Sequence, residues 1–444
     1  MALHVAASGA RPILQRRTSE RAGTGERAGP AHPGPVARRL AVTLAGAALT
    51  ACGGAAGDRS GDPGALTPIE TPVALASPVT GGAGFPYLSR GNSGVWMSWL
   101  EPADSTHRLR IARLTGESWS EPATVAESSL FFVNWADFPS ILELSDGRLM
   151  AHWLQRSSAG KYSYDVLVKF SADGGATWGD AVRPHADGTP TEHGFVTLFE
   201  AGGGAAAMWL DGREHAVADG EMGAGQMTLR FARFDGEGRA LPDELVDSRT
   251  CDCCQTDAAV TTSGPVVVYR DRSDTEVRDI AIVRWVDGQW TEPAHVHEDG
   301  WVIPGCPVNG PGVAARGDAV AVAWFTAANE SPRVNAAFST DGGASFGDPI
   351  RIDAGDPIGR VDVLMFEDGT ALVSWLERGE SATRVLARRV AADGRLSGET
   401  AIGESSAERA SGFPRMTLDG DRVLFAWTVP GQPATIRVAR TILD

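Results

Sequence analysis

The chain has 444 residues, 43% hydrophobic and 22% charged, with 53 Gly and 13 Trp. That size and apolar content support one large domain or two to three ordinary ones, and the Gly and Trp richness suits an all-β protein with many tight turns. The formal net charge is −16 and the only lysines are Lys161 and Lys169, so an acidic surface without a basic run excludes nucleic acid and charge-driven binding to anionic membranes.

Residues 1–35 are rich in Arg, Gly and Ala and hold no apolar run; a start at Val36 would give a compact leader, so they read as an over-extended start. Residues 38–52 read RRLAVTLAGAALTAC: two arginines, a short apolar run, then small residues up to a cysteine. The run is too short for a permanent span and reads as a secretory signal. Leu49-Thr50-Ala51-Cys52 resembles the lipobox of bacterial lipoproteins. The resemblance implies that Cys52 is lipidated and becomes the first mature residue, tethering the protein to a membrane in the cell envelope, facing the periplasm or the exterior. An ordinary signal peptide with a chance cysteine is the alternative. Residues 53–70 read as a flexible tether. The expected organisation is therefore leader 1–51, lipidated Cys52 and tether to 70, and a folded domain over 71–444.

One pattern then recurs seven times: a short apolar strand, a Gly/Asp turn, and a second strand ending in an aromatic. The aromatics are Trp99, Trp153, Trp209, Tyr269, Trp324, Trp375 and Trp427, 51 to 60 residues apart. A third, alternating strand follows each pair (HRLRIARL, YDVLVKFS, MTLRFARF), then a turn and a short fourth strand. Four antiparallel strands per module of roughly 50 residues is a propeller blade. The last module stops after its third strand. The segment TPVALASP at 71–78 can supply the fourth, closing the ring and removing two sheet edges. The expectation is a seven-bladed β-propeller, or six blades if one module is decorative.

The third-to-fourth strand turns SADGGATW (171–178) and STDGGASF (339–346) resemble the Asp-box of sialidase-like, BNR-repeat propellers. The matching residues are Ser171, Asp173, Gly175, Thr177 and Trp178, then Ser339, Asp341, Gly343, Ser345 and Phe346. The box is a turn device: Gly permits positive φ, Asp accepts turn amides, and the aromatic packs beneath. The resemblance implies the propeller fold and places glycoside hydrolysis among the activities. Sialidases, however, use an arginine within a Phe/Tyr-Arg-Ile-Pro motif and a late tyrosine nucleophile. The motif is absent here, and the tyrosines are Tyr87, Tyr162, Tyr164 and Tyr269. A true sialidase is therefore not expected.

In a propeller the loops between blades and those joining second to third strands open on one face, where sites are normally built. The loops of modules three to five collect His193, Asp211, Arg213, Glu214, Asp271 and Arg272, with Trp301, Cys306 and Asn309; Trp135 and Arg360 enter from neighbouring modules. CDCCQTD at 251–257 adds Cys251, Cys253 and Cys254. Outside the cytoplasm these cysteines and Cys306 read as one or two disulfides, as a thiolate site for Cu(I) or Zn²⁺ with His193 or His297 nearby, or as inert thiols. Arg213, Arg272 and Arg360 could clamp a small anion or sugar acid, with Asp211, Asp271 or Glu214 as acid or base, and Trp135 and Trp301 as a stacking wall. Against that stands the bland reading of inter-blade ion pairs and packing. No nucleotide-binding or zincin motif occurs. Three functions are compatible with this pattern: a tethered propeller binding a ligand, with or without a metal; an exo-acting glycoside hydrolase; or a protein-docking propeller.

Overall fold

A computed structural model describes residues 64–215, 217, 218, 221, 222 and 225–442. The leader and Cys52 lie outside the described residues. The described residues form seven antiparallel blades: 84–128, 140–182, 193–250, 257–297, 312–351, 356–405, and 415–442 together with 73–75. Chain order is ring order, and the strands of each blade run outward from the axis. In blade 2 the outermost strand is reduced to a single bridge, Val168–Val182. The longest repeat interval, from Trp209 to Tyr269, holds an extra hairpin of Val217–Ala218 with Glu221–Met222 between second and third strands.

Second strands such as Leu149–Arg156 and Ala371–Arg378 are buried on both faces over almost their whole length, because each blade is packed between two others. That is why they read as continuous apolar runs rather than alternating ones. The repeat aromatic of each second strand is at most 4% exposed. A buried indole N–H needs a partner, and the sequence often supplies it two residues on: Trp99 donates to Glu101, Trp209 to Asp211 and Trp375 to Glu377.

The ring closes where the last repeat runs out of chain. Val73–Leu75 pairs antiparallel with Thr435–Ile442, Val73 opposite Arg440 and Leu75 opposite Val438. Contacts with the ring begin before position 71. Leu66 bridges Ser397 in blade 6, Ile69 is buried among Phe366, Leu372 and Trp427, and the Thr441 hydroxyl donates to the Glu70 carbonyl.

The two Asp-box-like turns fold alike. In each, the Ser hydroxyl accepts the second Gly N–H (2.9 Å in both), and the Asp carboxylate accepts the N–H and hydroxyl of the following Thr177 or Ser345. Gly175 sits at φ 89°, where a Cβ would come within 2.8 Å of Ile111 in blade 1, so the turn tolerates no side chain there.

Around the axis, side chains at the blade lead-ins latch four of the junctions between neighbouring blades. Asp137 accepts the Phe195 N–H at 2.7 Å, Asp257 the Val313 N–H at 2.9 Å, Asn309 the Arg360 N–H at 2.7 Å and Asp362 the Met416 N–H at 2.7 Å. Phe195 and Arg360 lie at positive φ, at bulges in their innermost strands. At the lead-in end of the axis, the space left between Tyr87, Asp137, Asp257 and Arg415 is only about 20 Å³, room for a single water; at the opposite end, where the innermost strands turn, a cavity of about 690 Å³ opens between Arg90, Arg316, Glu367 and Gly420.

Candidate functional site

The thiols meet at the lead-ins to blades 4 and 5. The outer strand of blade 3 ends at Thr250, and the chain turns inward through residues 251–256 before the innermost strand Asp257–Thr261 begins. The Cys251 N–H donates to the Arg270 carbonyl at 3.0 Å, and Gln255 spans the axis: its amide nitrogen donates to the Ala136 carbonyl and its oxygen accepts the Gly310 N–H. Anchored at both ends, the turn folds its three sulfurs together, Cys251 to Cys254 at 3.6 Å and Cys251 to Cys253 at 3.9 Å. Cys306, from the next inter-blade loop, interacts with Cys253. None of the four is in a disulfide. All three sulfurs of 251–254 lie within 4.8 Å of one another, and among the described residues no His, Asp or Glu donor completes that group.

Burial is graded across the four. Cys251 and Cys254 are closed off, Cys253 is half-buried and Cys306 is exposed. Cationic groups stand behind the buried pair. Arg278 points one guanidinium nitrogen at the Cys251 sulfur (3.2 Å) and another at Glu276 (2.7 Å). Arg270, 1% exposed, donates to the carbonyls of Asn309, Arg278 and Phe325 and stacks on Trp301. The neighbouring S–H groups of Cys253 and Cys254, with Arg278, hold the Cys251 thiol well below its ordinary range, whereas burial pushes Cys254 up.

Beside the thiols lies a buried acid trio. The Tyr164 hydroxyl donates to Glu192 and is 3.2 Å from Asp137. Burial pushes Asp137 up to about 7 and Glu192 up to about 8, with Asp252 and Cys306 adding negative charge near Glu192. Gly194 is required here by close approach: a Cβ would fall 2.0 Å from the Asp137 carboxylate and 2.9 Å from the Tyr164 ring.

A third cluster fills the junction of blades 2 and 3. His193, fully buried, is 3.1 Å from the Tyr164 carbonyl and 3.2 Å from Asp187, and stacks on His185 with ring centroids 3.9 Å apart. Burial works against its proton, but Asp187 and Asp211 hold it above its ordinary value. Arg213 pairs with Asp211 (2.7 Å), Asp243 (3.1 Å) and Asp187 (3.4 Å).

The structure brings Cys251, Cys253, Cys254 and Cys306 together, and His193 together with Asp211 and Arg213. It does not gather the three arginines on a common anion. Arg272 is occupied by Asp252 and Glu276. Arg360 is buried, donates to the Glu408 and Gly412 carbonyls and the Ser411 hydroxyl, and lies over Trp135. Asp211 is spent on Trp209 and Arg213, Asp271 accepts the Arg272 N–H and faces His295 at 3.2 Å, and Glu214 is exposed. Trp135 stacks on Phe413, and Trp301 is buried against Arg270 and Phe325. Asn309 spends its amide on the Arg360 N–H and the Pro307 and Ile358 carbonyls. His297 lies beside Asp299 (3.9 Å) and near Trp324, a different neighbourhood from the thiols. Sequence reading missed Arg278, Arg270, Gln255, Tyr164, His185 and Asp187. Only Gln255 carried a local signal, its place inside the cysteine motif.

The chain matches no protein-family model and no curated protein. Solved structures do resemble it. The polysaccharide lyase Uly1 aligns at 9% identity and TM-score 0.48, covering 80% of this chain and 89% of that one. The phage phi92 endosialidase aligns at 9% and 0.47, covering 85% and 70%. The Trypanosoma rangeli sialidase, in complex with the inhibitor DANA, aligns at 12% and 0.44, covering 71% and 56%. Likenesses this distant say nothing of a shared activity, and the seven-bladed ring rests on the strand pairing itself.

Proposed function

We propose that this protein is a membrane-tethered β-propeller of the cell envelope, sialidase-like in architecture, that binds a soft metal ion through cysteine sulfur on the loops leading into blades 4 and 5. The observation that carries the reading is the convergence of Cys251, Cys253 and Cys254 at sulfur separations of 3.6 and 3.9 Å. With metal–sulfur bonds of about 2.3 Å, ligands spaced tetrahedrally or trigonally stand about 3.8–4.0 Å apart. Three sulfurs without an oxygen or nitrogen donor favour Cu(I), with Zn²⁺ second. Arg278 and Arg270 offset the negative charge that three thiolates would bring into a buried turn.

Supporting the same reading, the other candidate chemistry is engaged elsewhere. Asp211 and the three arginines are committed within the ring, so the anion clamp that would seat a sugar acid is not formed. Anaerobic titration of the reduced protein tests the proposal. One Cu(I) per chain is expected, surviving gel filtration and lost in Cys251→Ser and Cys254→Ser variants that keep the wild-type circular dichroism. No retained metal, or retention unchanged in both variants, overturns it. Turnover of fluorogenic glycosides by the metal-free protein would favour the hydrolase instead.

A further inference from the structure

The gradient of exposure across the four thiols has a direction. Cys251 and Cys254 are closed off from solvent, Cys253 is half-buried beside them, and Cys306 stands exposed next to Cys253, with Cys251, Asp252 and Arg278 nearby. Cys306 does not belong to the group of mutually close sulfurs formed by the other three. Its loop is pinned on both sides, with Cys306 exposed on the crest between. On the near side Asp279 accepts the Gly300 and Trp301 N–H groups, the Arg278 N–H donates to the Trp301 carbonyl, and the Ile303 N–H donates to the Glu276 carbonyl. On the far side Arg270 holds the Asn309 carbonyl and Gln255 holds the Gly310 N–H. The crest between them is Pro304-Gly305-Cys306-Pro307-Val308, in which the main chain makes two short-range bonds, Gly305 N–H to the Ile303 carbonyl and the Asn309 side-chain amide to the Pro307 carbonyl. A fixed three-sulfur cage therefore has one further sulfur at its mouth, on the side that faces solvent.

Resting on the proposed ion site, we infer that Cys306 is its transfer ligand: Cu(I) enters and leaves the cage of Cys251, Cys253 and Cys254 through Cys306, which makes the propeller a donor or acceptor of Cu(I) for external thiols rather than a permanent holder of the ion. The exchange is ligand substitution without redox change. Each copper–sulfur bond formed on the incoming thiol is matched by one broken on the protein, and the proton given up by the incoming thiol is taken by the released cysteine. Cys306 lowers the barrier by holding the ion while a cage sulfur lets go, so that copper never passes through an under-coordinated state. A buried three-sulfur site with no such sulfur at its mouth would bind as tightly but exchange slowly.

The test compares wild type, Cys306→Ser and Cys251→Ser as full reduced proteins. Stoichiometry is read by Cu(I) titration, sulfur coordination by X-ray absorption, and loading and release by stopped-flow against glutathione–Cu(I) and bathocuproine disulfonate. Cys306→Ser is expected to keep one Cu(I) with three sulfur neighbours, while its loading and release rates both fall by about a factor of ten, the size of effect that loss of one supporting group has at metal sites. Cys251→Ser is expected to lose stoichiometric binding. Retained binding with unchanged rates overturns the transfer role and leaves the ion site standing. Loss of binding in Cys306→Ser also overturns it, making Cys306 an ordinary ligand. Wild-type protein that binds no Cu(I) removes the underlying site itself.

Discussion

Asp137 shows how burial alters one carboxyl group and, through it, the pH dependence of the folded state. Its Oδ1 accepts the Phe195 N–H at the bulge that opens blade 3, and its Oδ2 faces the Tyr164 hydroxyl. Burial outweighs both bonds and pushes the group up to about 7, against about 3.9 in an unfolded chain. Between those values the folded protein holds a proton that the unfolded chain has released, so unfolding sheds a proton and rising pH favours it. Asp137→Asn keeps an oxygen for the Phe195 N–H and cannot ionise. Wild type is therefore expected to lose stability relative to this variant as pH rises from about 4 to 7, by on the order of 2–4 kcal/mol, with the gap constant above that range. Denaturant unfolding of both proteins across that range checks it; a gap that does not change with pH would show that Asp137 ionises normally. Asp137 also shows the limit of reading residues without the fold. Asn309 and Arg360 were legible as polar residues of the loops, yet a loop polar group, Asp137 included, looks the same in sequence whether it latches neighbouring blades or faces a ligand. Arg278 was harder still: it is 27 residues beyond Cys251, and they meet only once blade 4 has folded.

At the scale of elements, the fold was legible because one physical requirement repeats. A strand squeezed between two blades must be apolar on both faces and carry a large aromatic, and that demand recurs at Trp99 through Trp427. The closing strand was legible from a deficit, the missing fourth strand of the last repeat. The packing of residues 64–70 was not, because a Gly/Pro-rich segment with a single buried isoleucine reads as linker by composition. Together with the strand that follows it, this segment joins three blades: Leu66 to Ser397 and Ile69 to Phe366 in blade 6, Val73–Leu75 to blade 7, and the Ala76 carbonyl to the Trp119 indole in blade 1. Deleting everything before Gly81 opens the outer edge of blade 7 and uncovers the pocket of Ile69, whose burial alone stabilises by about 1.5–3 kcal/mol. The truncated protein is expected to unfold at lower denaturant and to self-associate through the bared edge. Equal midpoints and a monomeric elution profile would show that the ring closes without this strand.

For the whole molecule the proposed tether carries a prediction about how the propeller would be held at a membrane. Among the described residues no helix is long and apolar enough to cross one. Surface charge works the wrong way, since a chain of net −16 is repelled by anionic headgroups. We propose that the attachment is the segment ending at Cys52, whose acylation would place the ring a short tether from the bilayer with its loops free to meet soluble thiol partners. The two alternatives predict opposite fractionation. An acyl anchor resists high salt and alkaline washing and yields to detergent, and Cys52→Ala moves the protein wholly into the soluble fraction with its unfolding midpoint unchanged. A peripheral, charge-held protein would leave the membrane in salt whatever stands at position 52. Salt-sensitive association that is indifferent to Cys52→Ala would remove the lipid tether and leave the thiol site to be judged on a freely diffusing propeller.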